Sequence, residues 1–437
     1  TTVPFEDFYE FDGTKLKQFP LPEDSALEWA RCIDSLAQEL SETLPAAVVA
    51  RGTPDRGELD AARQGATALR SEMVAAQEEL DWRCLFLYSI TNEDLSMVAD
   101  AAPALEKGHR AFEIVLARRM AAGQANTTWF ERHGSEPITE LPGHWPDDYR
   151  ALVERRIELI DKDRFVGLVE RPEYKRRWNW ASWEALEADA LRTWLLDRLE
   201  DPRYWPDLQP RSAARLADMA LADDPDFVQV AQLYAGIDVD LPTLVGQLVR
   251  EESVPYLAAW RYTASGLAKR DEWESTWDLQ RREDAGEDAG RIPVPPKYGK
   301  VDFRQGESWK LRGQLDVPKE RFIAYPGAER ADGSPVVGWA GWNHLQAAQA
   351  LATLYEQRRA QEGWTADQLL PLVAGVNELV PWLRQWHNEV DPATGVRLGD
   401  FFADFVRNEL HTLGVSHDEM VGWEPPKAAA RRRKART

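Results

Sequence analysis

The chain has only two cysteines in 437 residues, Cys32 and Cys84. That excludes a disulfide-stapled fold, and the helical look of both surroundings points to buried thiols in a reducing, cytoplasmic setting. No cysteine or histidine stands at metal-ligand spacing, so no metal site is expected. Apolar runs fall far short of the roughly 20 residues that a membrane helix needs, and no secretory signal is visible. The expectation is therefore no membrane partner. Catalytic signatures are missing as well. There is no phosphate-cradling P-loop, no G-x-G-x-x-G after a strand and no G-x-S-x-G elbow. The two Pro-Pro pairs, Pro295-Pro296 and Pro425-Pro426, lack an Asn or Asp before them and an aromatic directly after. They therefore cannot form the loop that holds an extruded base in amino-methyltransferases.

What is present begins with charge. The formal net charge is -21 and the isoelectric point about 4.9. This opposes a general nucleic-acid coat and leaves room for a local basic patch. Hydrophobic residues make up 43% and charged residues 29%, within the range of soluble globular chains, and the length suffices for two or three domains. The basic end, Lys427 to Thr437, reads as a disordered tail, with non-specific nucleic-acid contact as its alternative.

Tryptophan and proline concentrate between Arg270 and Trp342. Trp273, Trp277, Trp309, Trp339 and Trp342 each favour burial of a large ring, whereas Pro293, Pro295, Pro296, Pro318 and Pro326 exclude a helix interior. Folded but irregular backbone pinned by aromatics is expected. The same stretch holds Lys297, Lys300, Arg304, Lys310, Arg312, Lys319 and Arg321. Loop-borne cations beside aromatics suit contact with backbone phosphates, which makes these seven the DNA-contact candidates. Their alternative is an internal network neutralised by Asp302, Glu307, Asp316 and Glu320.

Elsewhere the periodicity is helical. Ala26, Ala30, Ile33, Ala37, Leu40 and Leu44 form one seam; Leu59, Ala62, Ala66, Leu69, Met73, Ala76 and Leu80 form another. Separated by Arg51-Gly52-Thr53-Pro54-Asp55, the two helices predict an antiparallel hairpin. Further helices are predicted over 104–122, 147–163, 183–200, 211–222, 225–235, 241–249, 252–267, 344–361, 366–389 (interrupted at Pro371 and Pro381) and 398–413. Residues 1–23 read as extended. Strand signals are confined to 292–303, 321–325 and 335–339.

The fold class is mainly α: a helical hairpin spacer, then a multi-helix domain with a small irregular β/loop insertion around 292–340. The predicted organisation runs 1–23 (end of an upstream recognition-like domain and linker), 24–92 (hairpin), 93–268 (helical domain), 269–423 (Trp/Pro-rich core and C-terminal helices) and 424–437 (basic tail). The opening residues lack an initiator methionine and begin as though inside a fold, so a piece of a longer chain is expected.

Three weaker constellations favour bland readings. Glu173 and Lys175 near Asp161 or Asp163 could serve a metal nuclease, but a solvated charged loop explains them better. Glu272, Glu274 and Asp278 alternate with Arg270, Arg281 and Arg282, as salt bridges on a helix face do. His133, His144, His344 and His387 stand singly beside aromatics or prolines, as structural histidines do. No catalytic or cofactor-binding residue is assigned.

Several long phrases carry a resemblance: WESTWDLQRRED, VPPKYGKVDFRQGESWKLRGQLDVPKERFIAYPG and GWAGWNHLQAAQAL, with YEFDGTKLKQFPLP, QEELDWRCLFLYSI, GHRAFEIVLARR and ERPEYKRRW upstream. Together the chain resembles the C-terminal region of the adenine-specific DNA methyltransferases of type 2 BREX phage-resistance systems, the PglX family of phage growth limitation. The resemblance implies a parent enzyme that methylates adenine N6 in double-stranded DNA with S-adenosylmethionine and works with other phage-defence proteins. The catalytic half would lie ahead of Thr1. The chain itself would be non-catalytic, supporting DNA engagement or complex assembly. A protein-interaction scaffold with no DNA role is the alternative.

Overall fold

The structure is a computed structural model and describes residues 2–3, 6–9, 13–98, 101–329, 333–392 and 395–426. The predicted basic tail from Lys427 onward lies outside the described residues. The chain divides into two compact units, Thr1–Ala190 and Leu191–Thr437. Among the described residues it is mainly helical with one small mixed sheet.

In the first unit, helices Leu27–Thr43 and Arg56–Leu87 pack along most of the two predicted seams, with Ala26 ahead of the first helix and Ala30 exposed. Ile33 and Leu40 are buried on one helix, and Leu59, Ala66 and Met73 on the other. Arg83 pairs with Asp24 at one end, and Thr43 reaches Gly65 at the other, so the helices run antiparallel. The second starts sharply because Asp55 and Glu58 form a reciprocal capping box. Asp55 Oδ1 accepts from the Glu58 N–H at 2.8 Å, satisfying a donor that the first turn would otherwise leave open. The short helix Pro45–Ala50 fills the connection, with proline where its missing N–H costs nothing. Val74, Trp82, Phe112, Ile114, Tyr149, Val153 and Ile157 join one core, carried by the long helix together with helices Ala111–Ala121 and Asp147–Lys162. Cys32 and Cys84 are half-buried rather than sealed in that core, and form no disulfide. Burial and then Asp81 raise the Cys84 thiol above its usual range.

The extended reading of residues 1–23 holds for two short strands, β1 (Thr2–Val3) and β2 (Glu6–Tyr9), which pair antiparallel. It fails at Gly13–Gln18, which is helical.

The second unit holds a sheet of β3 (Arg211–Ser212), β4 (Ser253–Pro255), β5 (Phe322–Ala324) and β6 (Val336–Trp339) in the order β3-β6-β5-β4. β4 runs parallel to β5, with Val254 opposite Ile323; β6 runs antiparallel to β5 and β3. The helix predicted over 252–267 is absent. Its place is taken by β4, a single turn at Ala258–Arg261 and the start of helix Ala264–Asp284. Pro255 disfavours helical backbone before it, and pairing with β5 captures the segment. The strand predicted over 292–303 is also absent: Pro293, Pro295 and Pro296 remove ladder donors, leaving one bridge, Tyr262 to Phe303. Helices His344–Glu362, Ala366–Trp386 and Leu398–Leu413 close the unit. Pro371 and Pro381 lie inside the second of these without ending it. Its buried run Leu369 to Val376 belongs to a core shared with Leu351, Leu354, Phe402 and Val406.

Candidate nucleic-acid interface

The Trp/Pro-rich stretch is built around four rings. Tyr262 stacks on Tyr298 with centroids 5.3 Å apart, and Phe303 lies against both. Trp309 extends the cluster 5.8 Å from Phe303. Trp273, on helix Ala264–Asp284, donates its indole N–H to the Pro296 carbonyl at 2.9 Å, fixing the proline segment to the helix. Gly266 lets the 3-10 turn Lys300–Asp302 approach this helix. A Cβ there would sit 2.2 Å from the Asp302 carbonyl oxygen.

Asp302 anchors the turn. Its carboxylate accepts from Lys269 Nζ at 2.7 Å, Ser265 Oγ at 2.8 Å and the Gly299 N–H at 2.6 Å. Burial opposes its charge, but these donors hold its pKa below the usual range. Trp339 and Trp342 serve the sheet: Trp339 donates to Glu200 Oε1, and Trp342 lies edge-on to Trp205. Trp277 stays exposed, packed edge-on against Trp382.

The seven predicted cations divide by environment. Lys297, Lys300, Lys310 and Lys319 are exposed along the pinned segment. Arg304 is also exposed, but its Nε donates to the Tyr262 carbonyl at 2.7 Å. Arg312 and Arg321 are internally engaged. Arg312 Nη2 donates to the buried Glu320 at 2.5 Å and faces Asp316 at 3.6 Å. Burial and then the nearby Arg261 lower its pKa. Arg321 pairs with Asp197 at 2.5 Å and also with Glu200. Burial works against its charge, but the two carboxylates more than offset this and raise its pKa. The internal network thus describes part of the set: two arginines belong to it, while four lysines face solvent.

The other constellations are structural. Glu274 pairs with Arg270 at 2.5 Å and Asp278 with Arg281 at 2.7 Å. His344 opens its helix and stacks on Trp382; His133 Nδ1 lies 2.6 Å from the Trp129 carbonyl oxygen. Lys175, read from sequence as part of a solvated loop, is buried between Glu170 at 2.5 Å and Asp81 at 3.0 Å. Among the described residues no group of three His, Cys, Asp or Glu side chains is placed to hold a metal ion, and no helix is long and apolar enough to cross a membrane.

Sequence reasoning missed a buried ion network in the first unit. Arg156 donates to Glu79 at 3.0 and 2.5 Å and to the Leu95 carbonyl at 3.0 Å. Arg110 pairs with Glu113 at 2.9 Å. The one signal was the adjacent acids Glu78-Glu79 following the apolar run Met73 to Ala76 of the long helix.

A mainly helical chain with a small mixed sheet and an aromatic-pinned, lysine-bearing segment is the class so defined. The chain belongs to the family described as a domain of unknown function, DUF7008, whose profile matches residues 73–435. It is similar to the adenine-specific methyltransferase PglX of Streptomyces coelicolor (strain ATCC BAA-471 / A3(2) / M145), with 48% identity over 447 residues covering 99% of the chain. The match falls on the C-terminal part of that protein, and the chain spans 36% of its length. No solved structure matches the chain.

Proposed function

We propose that the chain is the non-catalytic C-terminal portion of an S-adenosylmethionine-dependent, adenine-N6-specific DNA methyltransferase of a BREX-type phage-defence system. Its role is to support engagement of double-stranded DNA or assembly with other defence proteins. The observation that carries this reading is the near full-length similarity to the C-terminal part of PglX. Lys297, Lys300, Lys310 and Lys319 are the side chains offered to phosphates. Lys297 and Lys300 stand exposed on backbone fixed by the Trp273 and Asp302 contacts, and Lys310 and Lys319 are exposed further along the same segment. Arg312 and Arg321 shape this face from within. The methyl donor and the catalytic loop belong to the parent enzyme.

The net charge of -21 favours a second reading, a scaffold that binds proteins and not DNA. Gel retardation of a duplex by the purified chain separates the two. The DNA reading expects retention that weakens steeply with salt and is reduced when the four lysines are changed to glutamine. Absence of retention at low salt, with co-purification of other defence proteins, supports the scaffold.

A further inference from the structure

The first unit carries a second basic, tryptophan-lined cluster that neither the Trp/Pro-rich stretch nor the buried ion network absorbs. Arg70 lies on the long helix Arg56–Leu87, with its guanidinium carbon 5.0 Å from the centre of the Trp180 ring. Lys107 Nζ lies 5.8 Å from the same ring centre. Trp180 packs against Trp178 at 5.2 Å, and the exposed Arg176 stands 4.4 Å from the Trp178 ring centre.

These positions are fixed by backbone. The Leu105 N–H donates to the Ser71 carbonyl at 3.1 Å, tying the Lys107 segment to the helix that bears Arg70. Gly108 has φ +97°, and a Cβ on it would meet the Glu136 carbonyl oxygen at 2.5 Å. The segment can press this closely only through glycine. Lys107 then donates to the His133 carbonyl at 2.9 Å.

Charge here is poorly compensated. Among the described residues the Arg70 side chain makes no hydrogen bond or ion pair, and its Nε is buried without a partner. The acid that acts on Lys107, Glu113, is already engaged by Arg110 at 2.9 Å. Arg176 is held by the neutral Gln77, 3.3 Å away. Two cations therefore converge on one indole without a carboxylate between them, in a chain whose net charge is -21. Burial lowers the pKa of both, and Arg70 adds to the effect on Lys107, a repulsion that an anion placed between them would offset.

We infer that Arg70, Lys107 and Arg176, with Trp180 between the first two, form a phosphate-binding subsite for a nucleic-acid backbone. Guanidinium and ammonium donors meet phosphate oxygens, and the Trp180 ring, over which Arg70 and Lys107 both lie, holds the two cations together. The subsite goes beyond the proposed DNA role of the lysine segment and does not require that segment.

The test uses the whole chain and fluorescence anisotropy of a labelled oligonucleotide, duplex and single-stranded, across a series of salt concentrations. The comparison variants are R70Q/K107Q, the charge-retaining R70K/K107R, and a quadruple Lys→Gln variant at positions 297, 300, 310 and 319; K107Q alone serves if the double variant unfolds. The inference expects R70Q/K107Q to flatten the dependence of log affinity on log salt by about 0.9 for each phosphate no longer neutralised, and R70K/K107R to retain binding. Unchanged affinity and slope in folded R70Q/K107Q overturn it, whatever the quadruple variant does. Weaker binding in R70Q/K107Q alone supports the subsite and removes the lysine reading; weaker binding in the quadruple variant alone does the reverse. No binding by the unsubstituted chain overturns both. If inorganic phosphate raises the thermal midpoint through Arg70 and Lys107 but oligonucleotide affinity ignores them, the site takes free phosphate and the nucleic-acid assignment fails.

Discussion

Arg156 and Glu79 meet 77 residues apart in the chain, with Arg156 Nη2 2.5 Å from Glu79 Oε2 and both side chains sealed from solvent. The Met97 N–H and Tyr149 hydroxyl also donate to this carboxylate, at 2.6 and 3.3 Å. Burial raises the Glu79 pKa against the pull of Arg156. Removing only the guanidinium strands a buried carboxylate. Arg156→Met should therefore destabilise the first unit by about 3–5 kcal/mol. Urea unfolding, followed by tryptophan fluorescence, measures this. Glu79→Leu combined with Arg156→Met should recover only part of the loss, because the Glu79 charge is removed but the buried Glu78, 4.0 Å from Arg156, still loses its cation.

Glu170 sets a pH dependence. Burial pushes its carboxyl up from the ordinary 4.5 to about 7, with Lys175 pulling the other way. Burial also opposes the Lys175 charge, but Asp81 and Glu170 outweigh it and keep the ammonium protonated. The folded chain thus holds a proton on Glu170 that the unfolded chain releases at lower pH. Its contribution to stability is complete below pH 4.5 and is lost as pH rises to about 7. Glu170→Gln should flatten stability across that window. Thermal midpoints of the two proteins at pH 5 and pH 8 give the comparison.

Arg312 and Lys310 separate structure from recognition. Arg312→Ala leaves the buried Glu320 without its 2.5 Å partner, and a loss of about 3 kcal/mol is expected. Lys310→Ala, at an exposed position, should change stability by no more than about 0.5 kcal/mol. Chemical denaturation of both variants checks the contrast.

Gly266 is a packing test of the pinned segment. Its Cβ would meet the Asp302 carbonyl oxygen at 2.2 Å and Tyr262 Cβ at 2.9 Å, so Gly266→Ala must push the Lys300–Asp302 turn away. A loss of about 1–3 kcal/mol is expected, together with weaker DNA retention, since Lys297 and Lys300 leave their set positions. Denaturation and gel retardation on one preparation measure both effects.

Helices announced themselves where local rules agreed. The two seams of the hairpin depend only on neighbours in sequence, and the helix predicted over 344–361 forms as His344–Glu362. Leu398–Leu413 was legible to the residue. Long-range pairing was not. β4 is three residues long, and its parallel partner lies 69 residues on at Ser253↔Phe322. Nothing near Ser253 signals that partner. In the same way ERPEYKRRW reads as a solvated charge run, because Asp81, which receives Lys175, is 94 residues away. Of the candidate interface, composition marked an aromatic-pinned stretch but could not tell Lys310, which faces water, from Arg312, which faces Glu320.

The central claim is that the chain serves a DNA methyltransferase without performing its chemistry. Incubating the purified 437-residue chain with adenine-containing duplex DNA and methyl-labelled S-adenosylmethionine tests it most directly. The account predicts no label in DNA above the protein-free background. Label incorporated at adenine N6 by this chain alone would contradict it.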